Sequence, residues 1–441
     1  MNINPTYWFV RNPFGAMAIV FALTVSTDLT PIAHGQQTAT ASSSIKSTDW
    51  PWWRGPSGDG IAPAGQQPPT KWSETENVLW RAAVPGRGHG SATVLGDQVF
   101  LATADESRDG QFVLCFDRNS GNQVWETAVH QGGLKHQGKR KPNEKASLAS
   151  STVATNGQLL YINFLNDGAV WTSALSRAGD IVWQKKISDY VIHQGYGSSP
   201  TVYQDLVIVA ADNKSGGAVV ALDQTTGTEV WRRGRPTTPN YPSPVVLMAA
   251  GREQLIMTGC NLVTSLDPAS GKELWEIEGA TTECVTSTVT DGKHVFTTGG
   301  FPKNHIAAVA ADGSGTTTWE VNTRAYVPSL LIKDQHLFAV LDAGVATCMR
   351  CDTGEEVWKA RLGGTFSSSP VMVNDLIYAT NEDGETFIFR ARTDKFELVA
   401  KNQLGESVFA TPAICGNQIF TRVAHHKDGQ RNEYLYCLAK E

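Results

Sequence analysis

The sequence predicts an all-β protein, an eight-bladed β-propeller of four-stranded antiparallel blades closed by its N-terminal strand, from three observations. Seven tryptophans, Trp80, Trp125, Trp183, Trp231, Trp275, Trp319 and Trp358, recur at intervals of 39 to 58 residues. A period in the forties marks radially repeated β architecture. Most of them follow a tight-turn signal, as in D-R-N-S-G-N-Q-V-W ending at Trp125, D-Q-T-T-G-T-E-V-W ending at Trp231 and D-P-A-S-G-K-E-L-W ending at Trp275. Residues 77–441 number 365, about 46 for each of eight blades.

Each period reads as four strands. In one of them, residues 201–203, 206–211, 218–222 and 228–232 are short apolar runs separated by turn residues. First and second strands meet at Asn156-Gly157, Asp291-Gly292 or Asn374-Asp375, residue types that tolerate the positive φ of a hairpin turn. Third and fourth strands meet at D-x-x-[TS]-G, whose Asp caps the turn and whose Gly supplies φ > 0. Eight first strands are introduced by Ser91, Ser151, Pro200, Pro244, Ser287, Pro328, Pro370 and Pro412. The last unit stops at Leu438 with three strands, so residues 77–82, carrying Trp80, are expected to complete it. That closure leaves no open sheet edge. The tryptophans are expected to staple neighbouring blades, each burying roughly 150–250 Å², at most about 4–6 kcal/mol per contact.

Ala221 to Trp231, A-L-D-Q-T-T-G-T-E-V-W, resembles the A-x-D-x-x-T-G-x-x-x-W motif of the pyrroloquinoline quinone (PQQ) repeat. The likeness covers residues 77–441, with good copies in blades 1, 3 and 4, a shorter turn in blade 2 and worn copies in blades 5 to 7. Families similar in this repeat are the quinoprotein alcohol dehydrogenases and the BamB-like outer-membrane-protein assembly factors, which bind no quinone. Residues 50–56, W-P-W-W-R-G-P, look like the opening of secreted propellers of planctomycete-type bacteria.

Three segments are expected: a signal peptide at 1–35, a flexible tether and Trp-rich arm at 36–76, and the propeller at 77–441. Arg11 precedes an apolar run at 16–25, and Ala33-His34-Gly35 offers small residues for cleavage, a run too short for a membrane span. The mature chain is therefore expected to be periplasmic or secreted, without a transmembrane span. No Cys precedes Cys115, so lipidation is not expected. With 43 acidic and 37 basic residues the net charge is −6, which gives no attraction for nucleic acid. A monomer is expected. Seven cysteines are an odd number; Cys115, Cys348 and Cys437 share the third-strand place of Ala221 and read as small core residues. Cys348 and Cys351 lie within one strand on this reading and point to opposite faces.

Variable loops gather at the end of the blades that holds the second-to-third turns and the blade connections, where binding normally resides. Residues entering the inner strands ring an axial funnel there: His89, Ser147, His193 with Tyr196, Tyr241, Glu283, Arg324 with Tyr326, Phe366 and Phe409. Two readings stand, a site for a small polar ligand or peptide and a channel plugged by these side chains. The longest blade connection carries Lys135, Lys139, Arg140, Lys141 and Lys145 against Glu144; it is a lid, a contact for an acidic partner, or a solvated loop. His130 with His136 and His425 with His426 lack a third donor by spacing, so no metal is expected.

The resemblance to quinoprotein dehydrogenases implies PQQ, Ca²⁺ and an adjacent Cys-Cys pair. The ring offers Glu283, with Glu144 from the loop, where hard cations need several oxygens, and no two cysteines are neighbours. The expectation is a non-catalytic exported propeller without cofactor that holds a protein, peptide or saccharide. A diverged PQQ-dependent alcohol or sugar dehydrogenase is the alternative.

Overall fold

Turn chemistry sets the frame of every sheet. In this computed structural model, Asp223 Oδ1 accepts the backbone N–H groups of Thr225 and Thr226 at 3.0 and 2.8 Å, and Gly227 follows at φ 68°. The chain thereby reverses from Gly217–Asp223 into Glu229–Arg235. Asp117 and Asp267 hold Ser120 and Ser270 in the same way, at 2.8 Å.

The structure describes residues 45–134 and 143–440. Across them 32 strands form eight four-stranded antiparallel sheets. Among the described residues no helix is long and apolar enough to cross a membrane. Blade 1 runs Thr93–Leu95, Gln98–Asp105, Gly110–Asp117, Gln123–Gln131. Blades 2 to 7 repeat that meander, and blade 8 has Ala413–Cys415, Gln418–Lys427 and Gln430–Leu438. Its outer strand is Val78–Val84, paired with Trp80 opposite Cys437 and Arg81 opposite Tyr436. The ring is closed as the sequence predicts. The signal-peptide reading and residues 36–44 of the tether lie outside the described residues.

Tryptophan geometry explains the repeat. The Trp231 ring lies over Gly271 of blade 4, where an added Cβ would come within 2.5 Å of it, and its Nε1 donates to Pro268 O at 3.1 Å. Trp80, Trp319 and Trp358 likewise donate to Arg118, Cys351 and Arg392 carbonyls of the next blade, each at 2.8 Å. Trp125 and Trp183 donate to Arg177 and Gln224 carbonyls at 3.0 Å. Trp275 instead donates to Gln254 Oε1 at 2.7 Å, and Gln254 Nε2 passes the link to Ala311 O of blade 5.

Blade 7 has Ala400 where the other outer strands carry tryptophan. Trp72, from the segment before the propeller, fills the place. It is 6% exposed, stacks on Tyr378 of blade 7 with centroids 6.4 Å apart, and packs in one cluster with Ile414 and Ile419 of blade 8. Asn402 secures it by accepting the Trp72 N–H and donating to Thr70 O, both at 3.1 Å.

A second ring of bonds runs round the inner strands. Backbone N–H groups of Ser91, Thr152, Ser199, Ser287, Ser329 and Ser369 donate to the hydroxyls of Thr152, Ser199, Ser243, Ser329, Ser369 and Thr411, each on the next blade, at 2.8–3.0 Å. At the blade 4 to blade 5 step the Ser287 hydroxyl takes the Trp53 indole N–H instead, at 2.7 Å.

Trp53 belongs to an arm that crosses the axis. Trp50 pairs with Val94 of blade 1, Pro51 O accepts from Thr155 of blade 2, Arg54 Nη2 donates to Leu330 O of blade 6, and Gly60 and Ala62 bond to Met372 of blade 7. Gly65 and Gln67 then meet the first-turn side chains of Asn374 and Asn417. The channel is thus filled from the short-turn face.

All seven cysteines are free and buried. Cys115, Cys348 and Cys437 sit opposite Trp125, Trp358 and Trp80. Burial pushes each of these thiols up to about 12, so they pack as apolar groups. Cys351 lies one residue beyond the strand Val345–Arg350, a correction to its placement within the strand; it enters a different core cluster from Cys348.

Candidate functional site

Loops between second and third strands and between blades surround a cavity of about 500 Å³. Its wall includes His89, Tyr196, Tyr241, Arg324, Tyr326, Phe366 and Phe409, and Trp53 of the arm contributes to it. Because Trp53 is tied to Ser287 at the neck, the cavity ends blindly on the indole.

His89 and Phe409 stack across the blade 8 to blade 1 seam, centroids 4.4 Å apart and planes 14° from parallel. Burial first, then the charges of Arg87, Arg422 and Arg431, hold the His89 pKa well below the usual range, so the imidazole is neutral. Its Nε2 is buried without a partner. Behind it the Arg422–Glu433 ion pair is buried, and Arg422 Nη1 donates to Ala102 O at 2.6 Å.

On the other side, the Tyr196 hydroxyl donates to Ala210 O at 2.9 Å and its ring meets Tyr190 edge-on. The Tyr241 hydroxyl is buried beside the Gln194 backbone N–H and makes no hydrogen bond of regular geometry. Burial and then the Glu283 carboxylate push its pKa upward. Arg324 Nη1 donates to Gly300 O at 2.8 Å, and its guanidinium lies 5.1 Å from the Tyr326 centroid. Phe366 is almost wholly buried against Phe387.

Glu283 and His193 stand behind the wall. The Glu283 side chain is 5% exposed, lies 3.1 Å from His193 Nε2 and accepts the Tyr326 hydroxyl at 3.3 Å. His193 Nδ1 is 3.2 Å from Lys214 Nζ. Ser147 hydrogen-bonds Ser150, which lines the cavity.

Two carboxylates on the wall escape a reading of inner-strand entries: Asp342 and Glu382. Asp342 Oδ2 accepts the Tyr326 N–H at 2.8 Å, and burial raises its pKa. Glu382 accepts Lys145 Nζ and Ser367 Oγ, each at 2.7 Å. Asp or Asn ends the second strand or follows it within two residues in several blades, at Asp105, Asn166, Asp212, Asp342 and Asn381. That repeat position is the signal that marks Asp342; Glu382 lies one residue beyond it, after Asn381.

Lys145 bridges from the entry of blade 2 to blade 7, while Asn143 bonds Gln194 through backbone and side chain at 2.8 and 2.9 Å. Residues 143–145 therefore border the mouth. Lys135, Lys139, Arg140, Lys141 and His136 lie outside the described residues. His425 faces Tyr436, His426 faces Glu406, and His130 packs edge-on to Phe164. Among the described residues no three His, Cys, Asp or Glu side chains converge into a metal-binding group.

A family model described as outer membrane protein assembly factor BamB matches residues 66–189, 109–300 and 302–395. The outer membrane protein assembly factor BamB of Burkholderia pseudomallei is 24% identical over 384 residues, covering 80% of this chain and 88% of that protein. The 1-butanol dehydrogenase (quinone) of Thauera butanivorans is 27% identical over 191 residues, covering 38% of this chain and 28% of its own length. Among solved structures, BamB from Moraxella catarrhalis superposes with a TM-score of 0.58 at 13% identity, over 81% of this chain and 98% of that one; this likeness concerns the fold.

Proposed function

This chain belongs to the family of the outer membrane protein assembly factor BamB, and from that membership we propose an exported, non-catalytic scaffold that holds a protein partner on its loop-rich face during envelope assembly. The name of the B. pseudomallei relative points to that process. The observation that carries the reading is the character of the face: Phe301 and Val191, on loops of blade 5 and before blade 3, are 51% and 46% exposed, and Arg324 bonds Gly300 O next to Phe301. Exposed apolar groups rimmed by charge suit a protein contact. Residues 1–35 serve as the export signal in this reading, the mature chain works unlipidated in the periplasm or outside the cell, and the ring functions as a monomer.

The donor set also bears on catalysis. Calcium takes six to eight oxygens, whereas Glu283, Asp342 and Glu382 stand on different blades, each engaged by its own partner. The residues present do not suit a calcium-bound quinone. The experiment is to delete the gene in its native host and follow folded outer-membrane β-barrel proteins by heat-modifiable gel mobility. The yield is expected to fall, and to recover with the wild-type gene and not with Phe301→Asp. An unchanged yield after deletion would remove the scaffold reading.

One observation favours a second reading, a quinone-dependent dehydrogenase: the partial match to the T. butanivorans enzyme. Dye-linked alcohol oxidation after adding PQQ and Ca²⁺, abolished by Glu283→Gln, is the result that would establish it.

A further inference from the structure

We propose that the axial funnel is a closed-ended pocket for the terminal unit of a neutral saccharide, gripped between aromatic faces and the polar atoms of His89 and Tyr241. This rests on the reading that the loop-rich face is the working one, and it adds a ligand distinct from the protein partner.

Shape comes first. Trp53 is held at the neck by Ser287 of blade 5, and the arm around it bonds to blades 1, 2, 6 and 7. An extended peptide has no exit past the indole, so a chain can enter by its end alone. A cavity of about 500 Å³ has room for one or two pyranose rings.

Chemistry comes second. Sugar rings present C–H faces that lie on aromatic planes and hydroxyls that must be paired once desolvated. The funnel offers both. His89 and Phe409 form one stacked platform, and Trp53 supplies a floor. His89 Nε2 is buried without a hydrogen-bond partner, and the Tyr241 hydroxyl lies by the Gln194 backbone N–H with no bond of regular geometry; under-satisfied buried polar groups are exceptional in native structures and call for a partner. Both groups are uncharged at neutral pH: the imidazole is buried among three guanidinium groups, and the phenol lies near Glu283. The charged groups on the wall are balanced, with Lys145 on Glu382 and Arg324 near Asp342. The charged side chains that line the cavity thus cancel in pairs among the described residues, while neutral hydroxyls find donors and acceptors together.

The test titrates the full chain with cellobiose, maltose and N,N′-diacetylchitobiose, and with trialanine as the peptide arm, following tryptophan fluorescence and heat. Saturable binding of at least one disaccharide is expected, with Kd raised about tenfold in Tyr241→Phe and in His89→Ala at unchanged thermal midpoint. Tyr241→Phe removes a single oxygen, so it reports on the site even if His89→Ala unfolds. Binding of trialanine with none of the sugars, binding of nothing, or sugar binding indifferent to Tyr241→Phe overturns the proposal. The scaffold reading is scored separately, by the β-barrel yield in cells carrying Tyr241→Phe: a normal yield beside lost sugar binding separates the two.

Discussion

His130 is the penultimate residue of the outer strand of blade 1, with its ring edge-on to Phe164 and Trp171 of blade 2, at 6.0 and 5.9 Å, and its Nε2 buried without a partner. Burial brings its pKa down to about 4, against about 6.5 in an unfolded chain. Between those values the unfolded chain binds the proton and the folded one does not. Stability is therefore full above pH 6.5 and falls as the pH drops toward 4, with a slope of up to about 1.4 kcal/mol per pH unit from this group. His130→Phe is expected to flatten that part of the profile, read as urea midpoints at pH 7, 5.5 and 4.5; a slope equal to the wild type would refute it. A glycine makes the complementary case. Gly227 has φ 68°, and a Cβ there would sit 2.7 Å from the Trp183 ring, whereas Gly292 at φ 88° has nothing within 4 Å. Gly227→Ala is expected to cost about 2–4 kcal/mol through strain and overlap together, and Gly292→Ala about 1–2 kcal/mol through strain. Equal losses in chemical denaturation would mean that the stacked indole yields freely.

At the scale of the element, the staple is the unit that repeats, and its cost can be divided. Trp231→Ala is expected to lose about 3–5 kcal/mol, and Trp72→Ala a similar amount, since both are buried in a seam between blades. Phenylalanine separates them. Trp231 Nε1 serves Pro268 O, while Trp72 Nε1 has no partner, so Trp231→Phe should cost about 1 kcal/mol more than Trp72→Phe. Identical denaturation midpoints for the two would sink the distinction. Trp231 was legible because turn and strand repeat together around it. Trp72 was not, because it reaches a seam more than 300 residues away through a segment with no period of its own. The funnel divides in the same way. Aromatic residues entering inner strands could be ordered by counting blades, but Glu382 and Trp53 owe their positions to a cross-ring ion pair and an arm whose path no local pattern encodes.

At the scale of the molecule, closure turns a row of separable blades into one cooperative object. Each blade leaves its outer strand half solvated and its flank uncovered, and the next blade's turn covers the tryptophan on that flank. Blade 8 obtains both from Val78–Val84: the strand pairs with Gln430–Leu438, and Trp80 reaches across to Arg118 of blade 1. A chain starting at residue 85 would expose the edge of Gln430–Leu438 and leave the seam above Gly121 empty. It would lose the ring while keeping seven intact blades. A chain starting at residue 77 would retain the ring and lose the arm, with Trp72 from one seam and Trp53 from the funnel floor. The first is expected to aggregate, because a bare strand edge beside an apolar seam is a template for pairing. The second is expected to stay monomeric on size exclusion, with a lower thermal midpoint and a single transition. A well-behaved monomer from the first chain, melting like the second, would show that the blades hold together without their latch.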